Sequence, residues 1–520
     1  MKKLVIKILK LLSLLLLLLV VVFTVAILWP MPKLEPPAKQ SRILIKSANI
    51  IDVKSGGILI DRDILIENNT IKHIDTTGKF RLEEFDLTID GENKYVIPGL
   101  WDMHTHSNVH SEWLHHPLYI ANGVTNIRDM SGTLNERDAY WVGSKTRLQW
   151  NTDLARNKRV APRYVLQSSY QIDGEASVPK GAPDFFKLNN RKDVGKFLSF
   201  YRDENTDFIK IYQQIKPDSY RELAKQASKY KIHLAGHKPI FITLEEAIKL
   251  GQRSFEHGRI FMYECFPYAD SLRLSPNWKQ NFSRYKSSMV QNFDFDQAKQ
   301  LMELMKQNNA HWTPTLQTLK FEANAHDENF LDNPHLEYVS TIRKKLWWSF
   351  DISNNKEKNL SNKDEFVSRS FYEIVRKQIG LANSLGASIM VGTDVTDSYV
   401  FAGFSVHQEL RDLVACGLSP IEALKAATIV PARYANLDNE LGTVEKGKLA
   451  DLVILNDNPL HAIENTEEIF GVLHEGVYYS RGALDEYKDY TASMASSFHM
   501  NIKVLKSFLS SKLLRVQFND

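Results

Sequence analysis

The chain contains little cysteine, no excess of either charge and, outside one segment, no long hydrophobic run. Its 520 residues include two cysteines, which excludes a disulfide-rich scaffold and a cysteine-rich zinc module. The 65 basic and 62 acidic residues nearly cancel, so nucleic acid is not expected as a partner. No repeat of fixed period is found. With 43% hydrophobic and 24% charged residues, the composition is typical of a globular protein with two or three folded units.

The one long hydrophobic run lies at the amino terminus. Four lysines precede an uncharged stretch, residues 11–29, which would span about 28 Å as a helix and nearly match a ~30 Å hydrocarbon core. Because the basic residues precede the run, we expect a transmembrane anchor whose amino terminus stays in the cytoplasm. The rest of the chain would then be extracytoplasmic, on the periplasmic or cell-surface side. The alternative is a secreted protein released by signal cleavage, although Thr24-Val25-Ala26 is a poor cleavage site.

Short β-strand patterns flank a long segment in which strands and helices alternate. Residues 43–74 read as β-hairpins, and short strands return after Leu441. In between, eight candidate strands with intervening helices indicate an α/β fold of the (β/α)8 TIM-type barrel. These strands are 95–106, 124–130, 164–168, 208–212, 233–237, 253–257, 310–316 and 388–394.

Changes in this pattern divide the chain into six segments. Two connections, 266–291 and 322–368, are long for a barrel and are interpreted as lids or insertions. In the last segment, helical stretches such as 502–514 allow a solvated helix or a basic helix resting on a membrane, and we favour the first. The predicted segments are the anchor or signal 1–29, a Pro-rich extended spacer 30–40, a first β part 41–97, the barrel 98–438, a second β part 439–482 and a tail 483–520.

The ends of the predicted barrel strands carry side chains that can bind metals. His104 and His106 are two residues apart on one strand, so both imidazoles share a face and can hold a divalent ion. His237, His257 and Asp394 end three further strands. Each residue alone has a structural alternative, such as helix capping by Asp394. Because the carboxyl ends of barrel strands meet at one face, the joint pattern favours a functional site there.

Lys210 is unusual because it lies within an apolar strand. In the sequence DFIKIY, Ile209 and Ile211 share one face, which directs Lys210 and Tyr212 into the barrel. A buried ammonium beside metal ions is unfavourable, whereas a lysine carboxylated by carbon dioxide is an anion that can bridge two metals. The alternatives are a lysine that binds a substrate carboxylate or one that is solvated.

These motifs resemble the amidohydrolase superfamily, in particular its imidazolonepropionase-like and metal-dependent Xaa-Pro (Xaa-Arg) dipeptidase-like group. The resemblance rests on VIPGLWDMHTH, DFIKIY, HLAGHK, FEHG, VGTD and LGTVEKGKLADLVILNDNPL, and extends from about residue 43 to 482. It implies a barrel with a small β-sandwich built from both flanking segments. It also implies that the metal ligands are His104, His106, His237, His257 and Asp394, with Lys210 as the carboxylated bridge if there are two ions.

The resemblance implies a hydrolase that uses metal-activated water, most simply with one or two zinc ions. Asp394 would shuttle the proton, and His257 or Tyr212 would contact the substrate or its developing oxyanion. We expect cleavage of amide C–N bonds in a small molecule, such as a dipeptide or a cyclic amide. The alternatives are a lactonase or organophosphate hydrolase with the same metal centre, and a catalytically inactive, membrane-tethered binding protein.

Overall fold

Helices and strands cover most of the computed structural model, which describes residues 2–81, 84–133, 138–168, 171–174, 187–358 and 362–517. The strands are β1 (Arg42–Ile51), β2 (Ile58–Glu67), β3 (Thr70–Thr76), β4 (Leu87–Asp90), β5 (Tyr95–Pro98), β6 (Leu100–Thr105), β7 (Val124–Asp129), β8 (Arg163–Gln167), β9 (Phe208–Ile211), β10 (His233–Gly236), β11 (Ser254–Glu256), β12 (His311–Thr313), β13 (Ser388–Ile389), β14 (Leu452–Leu455), β15 (Ile469–His474) and β16 (Val477–Ser480).

Helices form the outer layer and both termini. They are α1 (Lys2–Leu28), α2 (Ser111–Leu114), α3 (His116–Ala121), α4 (Ser144–Ala155), α5 (Val194–Asp203), α6 (Pro217–Tyr230), α7 (Leu244–Lys249), α8 (Ala269–Arg273), α9 (Trp278–Gln291), α10 (Phe295–Gln307), α11 (Leu316–Asn324), α12 (Glu328–Leu331), α13 (Thr341–Arg343), α14 (Ser349–Lys358), α15 (Asn362–Ser384), α16 (Phe404–Ala415), α17 (Pro420–Ala426), α18 (Ile429–Tyr434), α19 (Arg481–Ser496), α20 (Phe498–Ser510) and α21 (Lys512–Gln517). Shorter turns are 3-10 helices at Arg191–Asp193, Pro334–Tyr338 and Ile463–Glu467 and a π-helix at Lys344–Trp348.

Strands from both flanking segments form one eight-stranded sheet. Its order is β16-β15-β14-β5-β1-β2-β3, and β4 pairs with β1. The antiparallel pairs β1–β2 and β2–β3 confirm the predicted hairpins. Apolar side chains such as Ile64, Val96, Ile454 and Leu473 form a core of their own, separate from that of the barrel segment. The two ends of the predicted barrel segment are therefore joined through a common sheet.

The parallel strands have a TIM-barrel-type α/β arrangement. They follow chain order in two sheets, β6-β7-β8 and β9-β10-β11-β12-β13. Parallel bridges continue this order from Ser168 to Phe208 and from Thr105 to Val395. Because the strands are parallel and neighbours in sequence, their carboxyl ends lie on the same side.

The predicted first barrel strand, residues 95–106, is two strands. β5 pairs with β1 and β14 in the large sheet, whereas β6 pairs with β7. The chain passes between them at Gly99, where a Cβ atom would lie 2.0 Å from Thr125 Oγ1. Glycine is needed because no larger residue fits this close approach. The last predicted strand, 388–394, is also shorter, since β13 ends at Ile389.

Helix α1 is long and apolar enough to cross a membrane, and residues 3–28 are mostly exposed. The spacer after it has no regular structure, but it is bound to the rest of the protein along its length. Trp113 Nε1 and Tyr490 Oη both donate hydrogen bonds to the Pro32 carbonyl oxygen, at 3.0 and 2.8 Å. Asn157 donates to the Pro37 carbonyl oxygen at 2.9 Å. The Pro-rich segment is thus a docked strap and not a free tether.

The predicted insertions and the tail are helical and lie against the barrel. Residues 266–291 include α8 and α9, and residues 322–368 include helices α12 to α14. In the tail, Phe508 of α20 contacts Tyr140 and Trp347, with ring centroids 5.2 and 6.0 Å apart. The Asn501 side chain accepts a hydrogen bond from the Ile342 backbone at 2.9 Å. The second insertion and the tail therefore support each other.

Candidate metal centre

The side chains proposed from strand ends meet at one cavity of about 210 Å³. His104 lies in β6 and Lys210 in β9, while His237 and His257 each directly follow a strand. Asp394 lies in the extended segment after β13. The cavity is lined by His106, Lys210, Tyr212, His237, His257 and Asp394, and His104 lies directly beneath Asp394.

One group of donor atoms surrounds the Asp394 carboxylate. Its Oδ1 lies 3.3 Å from His104 Nε2 and 3.0 Å from His106 Nε2. The two imidazoles are stacked with centroids 5.3 Å apart, as their spacing on one strand face predicts. Two neutral nitrogens and one carboxylate oxygen form a donor set that suits a divalent metal.

A second pair of donors lies next to the first, because His257 Nδ1 is 3.3 Å from Asp394 Oδ2. His237 Nε2 and His257 Nε2 are 3.0 Å apart. Two nitrogen ligands about 2.0–2.1 Å from a tetrahedral ion would be about 3.3 Å apart. The Lys210 Nζ atom lies 3.5 Å from His106 Nε2, and Lys210 lines the same cavity as the second pair. The lysine therefore lies beside donors of both groups.

The protonation of these groups favours metal binding. Burial lowers the pKa of His104 and His237 well below the ordinary value, and that of His257 to about 4, which keeps the imidazoles neutral. Burial alone would raise the pKa of Asp394, but its close interactions with the His104 and His257 side chains and its hydrogen bond with His106 hold that pKa well below its usual range. Burial also lowers the pKa of Lys210, against the attraction of Asp394.

A buried nitrogen without a partner also indicates that the residues fit a metal ion. His104 Nε2 is shielded from solvent and makes no hydrogen bond within the described residues, although Asp394 Oδ1 lies 3.3 Å away. A buried imidazole nitrogen is normally satisfied, because an unpaired polar atom is costly. Donor atoms of His104, His257 and Asp394 all lie within 4.8 Å of one another.

Strained backbone accompanies the donors. His257, Thr315 and Asp394 have positive φ angles of 72°, 44° and 69°, which are unfavourable for residues other than glycine. Thr315 is β-branched, and its Oγ1 lies 2.9 Å from His257 Nδ1. Gly236, just before His237, has φ 124°, and a Cβ there would lie 2.4 Å from the Ile211 carbonyl oxygen. Strain of this kind also occurs elsewhere in the chain, for example at Asn68 and Asn157, but at the cavity it falls on donor residues and their immediate support.

Sequence reasoning missed the buried groups that hold the donors. Glu256 Oε2 lies 2.9 Å from His104 Nδ1, so it fixes the proton on Nδ1 and leaves Nε2 free. Arg128 donates from Nη2 to both Glu256 oxygens at 2.8 Å. Asp102 Oδ2 accepts from Thr393 Oγ1 at 2.6 Å. The one available signal was that Glu256 and Arg128 are charged residues within predicted barrel strands.

The Glu256–Arg128 pair leads to a stability prediction. Glu256→Gln removes the charge that compensates the fully buried Arg128 guanidinium. We expect the free energy of unfolding to fall by about 3–5 kcal/mol, as for other buried pairs that lose one partner. Urea unfolding of the detergent-solubilised chain in chelator would measure this.

The matched control is Glu245→Gln, which breaks an exposed ion pair with Lys249. This change should leave stability nearly unchanged, because exposed pairs contribute little. Equal losses in the two variants would show that Arg128 does not depend on the Glu256 charge.

Aromatic and charged residues complete the cavity wall. The Tyr212 ring lies 4.2 Å from the His237 ring, and Trp141 lies 6.0 Å from His106. Arg259 forms an ion pair with Glu322 at the cavity wall. Trp347, from the second predicted insertion, lines the same space. The insertion therefore helps to shape the pocket in which a substrate would lie.

Imidazoles and a carboxylate at the strand ends of a TIM-barrel-type fold can hold a divalent metal ion. The family model described as "Amidohydrolase family" matches residues 209–479, just over half of the chain. The chain belongs to the amidohydrolase family. The predicted superfamily is thereby confirmed.

Curated relatives match over short segments. A 5-methylthioadenosine/S-adenosylhomocysteine deaminase of Dictyoglomus turgidum is 43% identical over 65 residues, which are 12% of this chain and 14% of the relative. An adenine deaminase of Staphylothermus marinus is 25% identical over 224 residues, 39% of this chain and 33% of the relative. The chain thus spans a third or less of the length of these two relatives.

Solved structures match over most of the chain. A Xaa-Pro dipeptidase with bound methionine is 19% identical with a TM-score of 0.59, covering 85% of this chain and 100% of that protein. A bottromycin amidohydrolase is 20% identical with a TM-score of 0.67, covering 88% and 91%. At this level of identity, the similarity shows the fold.

Proposed function

We propose that the protein is a membrane-anchored, metal-dependent amidohydrolase that cleaves an amide bond in a dipeptide or a cyclic amide. The observation that carries this proposal is the pair of donor groups that face one cavity, with Lys210 beside them. The Xaa-Pro dipeptidase and the bottromycin amidohydrolase, which match along most of the chain, support an amide substrate.

The roles of the residues follow from their positions. When bound, a divalent ion would supply Lewis acidity toward water and the scissile carbonyl. His104, His106 and Asp394 would hold it. Asp394 would also accept the proton of the attacking water and return it to the leaving nitrogen. His257 faces the open cavity, so it would either hold a second ion with His237 or contact the developing oxyanion, the role for which Tyr212 is the alternative.

Lys210 is proposed as a carboxylated ligand between two ions. Its neutral amine would attack the carbon of carbon dioxide, form an N–C bond and release one proton, which leaves an anionic carbamate. Two divalent ions need more negative charge than Asp394 alone carries, and four neutral imidazoles add none. The carbamate would supply a second negative charge. The position of Nζ, 3.5 Å from His106 Nε2 and in the same cavity as His237 and His257, supports this role.

A second candidate function is amidine hydrolysis, the reaction type of a deaminase. The curated relatives with significant sequence matches are described as deaminases of adenine or adenosine derivatives. Both reactions use the same centre and break a C–N bond, so the substrate decides between them. The assay described next also tests the two other hypotheses, a lactonase or organophosphate hydrolase and a catalytically inactive binding protein.

The proposal predicts that activity depends on a removable metal. Treatment of the full detergent-solubilised chain with a chelator should abolish hydrolysis, and added zinc should restore it, because the ion supplies the Lewis acid. The measurements are elemental analysis and a panel of Xaa-Pro dipeptides, cyclic amides, adenosines, lactones and phosphotriesters. Turnover of adenosines alone would favour the deaminase hypothesis over the amide hypothesis. Turnover of lactones or phosphotriesters alone would favour the lactonase or organophosphate hydrolase. If the purified protein holds no metal and takes up none from added zinc, the hypothesis of a catalytically inactive binding protein would be favoured.

We also propose a closed barrel, a β-sandwich beside it and a membrane anchor at the amino terminus. The bridges Thr105–Val395 and Ser168–Phe208 support a closed eight-stranded barrel. The separate core of the large sheet supports a β-sandwich formed by segments 41–97 and 439–482, around a barrel of residues 98–438. The apolar helix α1 supports an uncleaved anchor, with the barrel on the extracytoplasmic side.

A further inference from the structure

Helix α20 has an apolar face that the barrel does not cover. At 100° per residue, Phe498, Ile502, Leu505 and Leu509 fall within about 60° of one another on this helix. Phe498 and Leu509 at its two ends are 51% and 69% exposed. The opposite side packs on the body of the protein through Met500, Val504 and Phe508. Ile502, in the middle of this face, is buried, so the face is exposed mainly at its two ends. Exposed apolar ends of this kind need a second apolar environment.

The carboxyl end of α1 lies against this face. The rings of Phe23 and Phe498 are 6.2 Å apart, and Lys503 Nζ donates to the Ile27 carbonyl oxygen at 2.6 Å. Phe23 lies five residues before the end of α1, which corresponds to about 7.5 Å along the helix axis. Helix α20 therefore lies level with the last turns of the helix that would span the membrane.

The docked strap fixes this arrangement. The Pro32 carbonyl oxygen, four residues beyond the end of α1, is held by Trp113 and by Tyr490 of α19. No free linker separates the end of α1 from the body of the protein. Once α1 lies in a bilayer, α20 cannot move far from the surface of that bilayer.

We propose that the apolar face of α20 (Phe498, Ile502, Leu505 and Leu509) lies in the lipid leaflet that contains the carboxyl end of α1. This inference rests on the proposed anchor. A helix in the interface inserts its apolar face by about 5–10 Å, which agrees with the level of Phe498 beside α1. Exposed Lys506 borders the face on one side, where it would meet lipid headgroups.

This placement connects the membrane to the cavity. Phe508, on the inner side of α20, contacts both Tyr140 and Trp347, and Trp347 lines the candidate active site. The lipid-facing helix therefore supports the cavity wall from behind. A second copy of the chain on the same face is the competing occupant that the experiment must separate from lipid.

The test uses the full chain in vesicles of phosphatidylcholine and phosphatidylglycerol, with a nitroxide spin label at Leu509→Cys. Partly exposed Cys416 is replaced by serine, and buried Cys265 stays. Two matched labels serve as references, Leu16→Cys within α1 and Leu274→Cys directly after α8, where Leu274 is 81% exposed. Collision with oxygen, which prefers lipid, is compared with collision with an aqueous nickel complex.

We expect the oxygen-to-nickel accessibility ratio at Leu509 to approach that at Leu16 and to exceed that at Leu274 severalfold. A ratio at Leu509 equal to that at Leu274, while Leu16 is protected, would overturn the lipid-facing surface and leave the anchor intact. Access of nickel to Leu16 would overturn both. Protection of Leu509 from both reagents, with spin–spin coupling between chains, would show that a second copy covers the face.

Discussion

Asp394→Asn is expected to reduce hydrolysis by at least about 10²-fold, the low end for loss of a general acid–base group. The carboxylate is buried and touches both His104 and His106, so it combines the functions of ligand and proton acceptor. Asparagine keeps the shape of the side chain but can neither carry the negative charge nor take up a proton. Steady-state rates with the best amide of the panel would measure the loss.

The matched control for this prediction is Asp296→Asn, which changes an exposed carboxylate in the first turn of α10. It should retain full activity. Circular dichroism and thermal unfolding of both variants separate loss of catalysis from loss of fold. Near-normal turnover by a folded Asp394→Asn variant would remove this residue from the mechanism.

Replacing Lys210 should have the largest effect on metal content. Lys210→Ala is expected to lower the content from about two ions per chain to one or fewer, because the second ion loses its anionic ligand. Lys210→Arg should do the same, since a guanidinium keeps the positive charge but does not form a carbamate. Elemental analysis of protein produced with ample bicarbonate and metal measures this directly.

Two further results would decide the role of Lys210. The exposed Lys299→Ala variant is the control and should bind metal normally. Short carboxylic acids should partly restore activity to Lys210→Ala if they occupy the place of the carbamate. One ion in the wild type, with unchanged occupancy in Lys210→Ala, would refute the two-metal proposal. Lys210 and His257 would then be assigned to substrate binding.

The convergence of the candidate site could be expected from sequence because it depends on topology. Parallel strands that follow one another in the chain end on the same side, so His237, His257 and Asp394 had to approach His104 once the strands were recognised. Alternation along β9 likewise directed Lys210 inward, and it is buried in the cavity wall. Both inferences need only strand direction and a period of two.

The supporting contacts could not be derived in the same way. Glu256 neighbours His257 in sequence but bonds to His104, and its partner Arg128 comes from a third strand. Such contacts depend on side-chain packing inside the barrel, which has no periodic signature. The strain at Thr315 is also invisible, because a β-branched residue gives no sequence signal for a positive φ. The break at Gly99 was missed because apolar residues continue across it.

The shared sheet has a consequence for the order of folding. Strand β5 finds its neighbour β14 only after about 350 further residues have been synthesised, which takes roughly 20–70 s at 5–20 residues per second. During that interval one edge of β5 presents unpaired backbone groups, a known template for wrong pairing. The residues of the barrel are synthesised while this edge of β5 is still unpaired. Strands β14 to β16 complete the sheet last, so we expect a nascent chain that stalls before residue 452 to expose an unpaired strand edge that can aggregate with other chains.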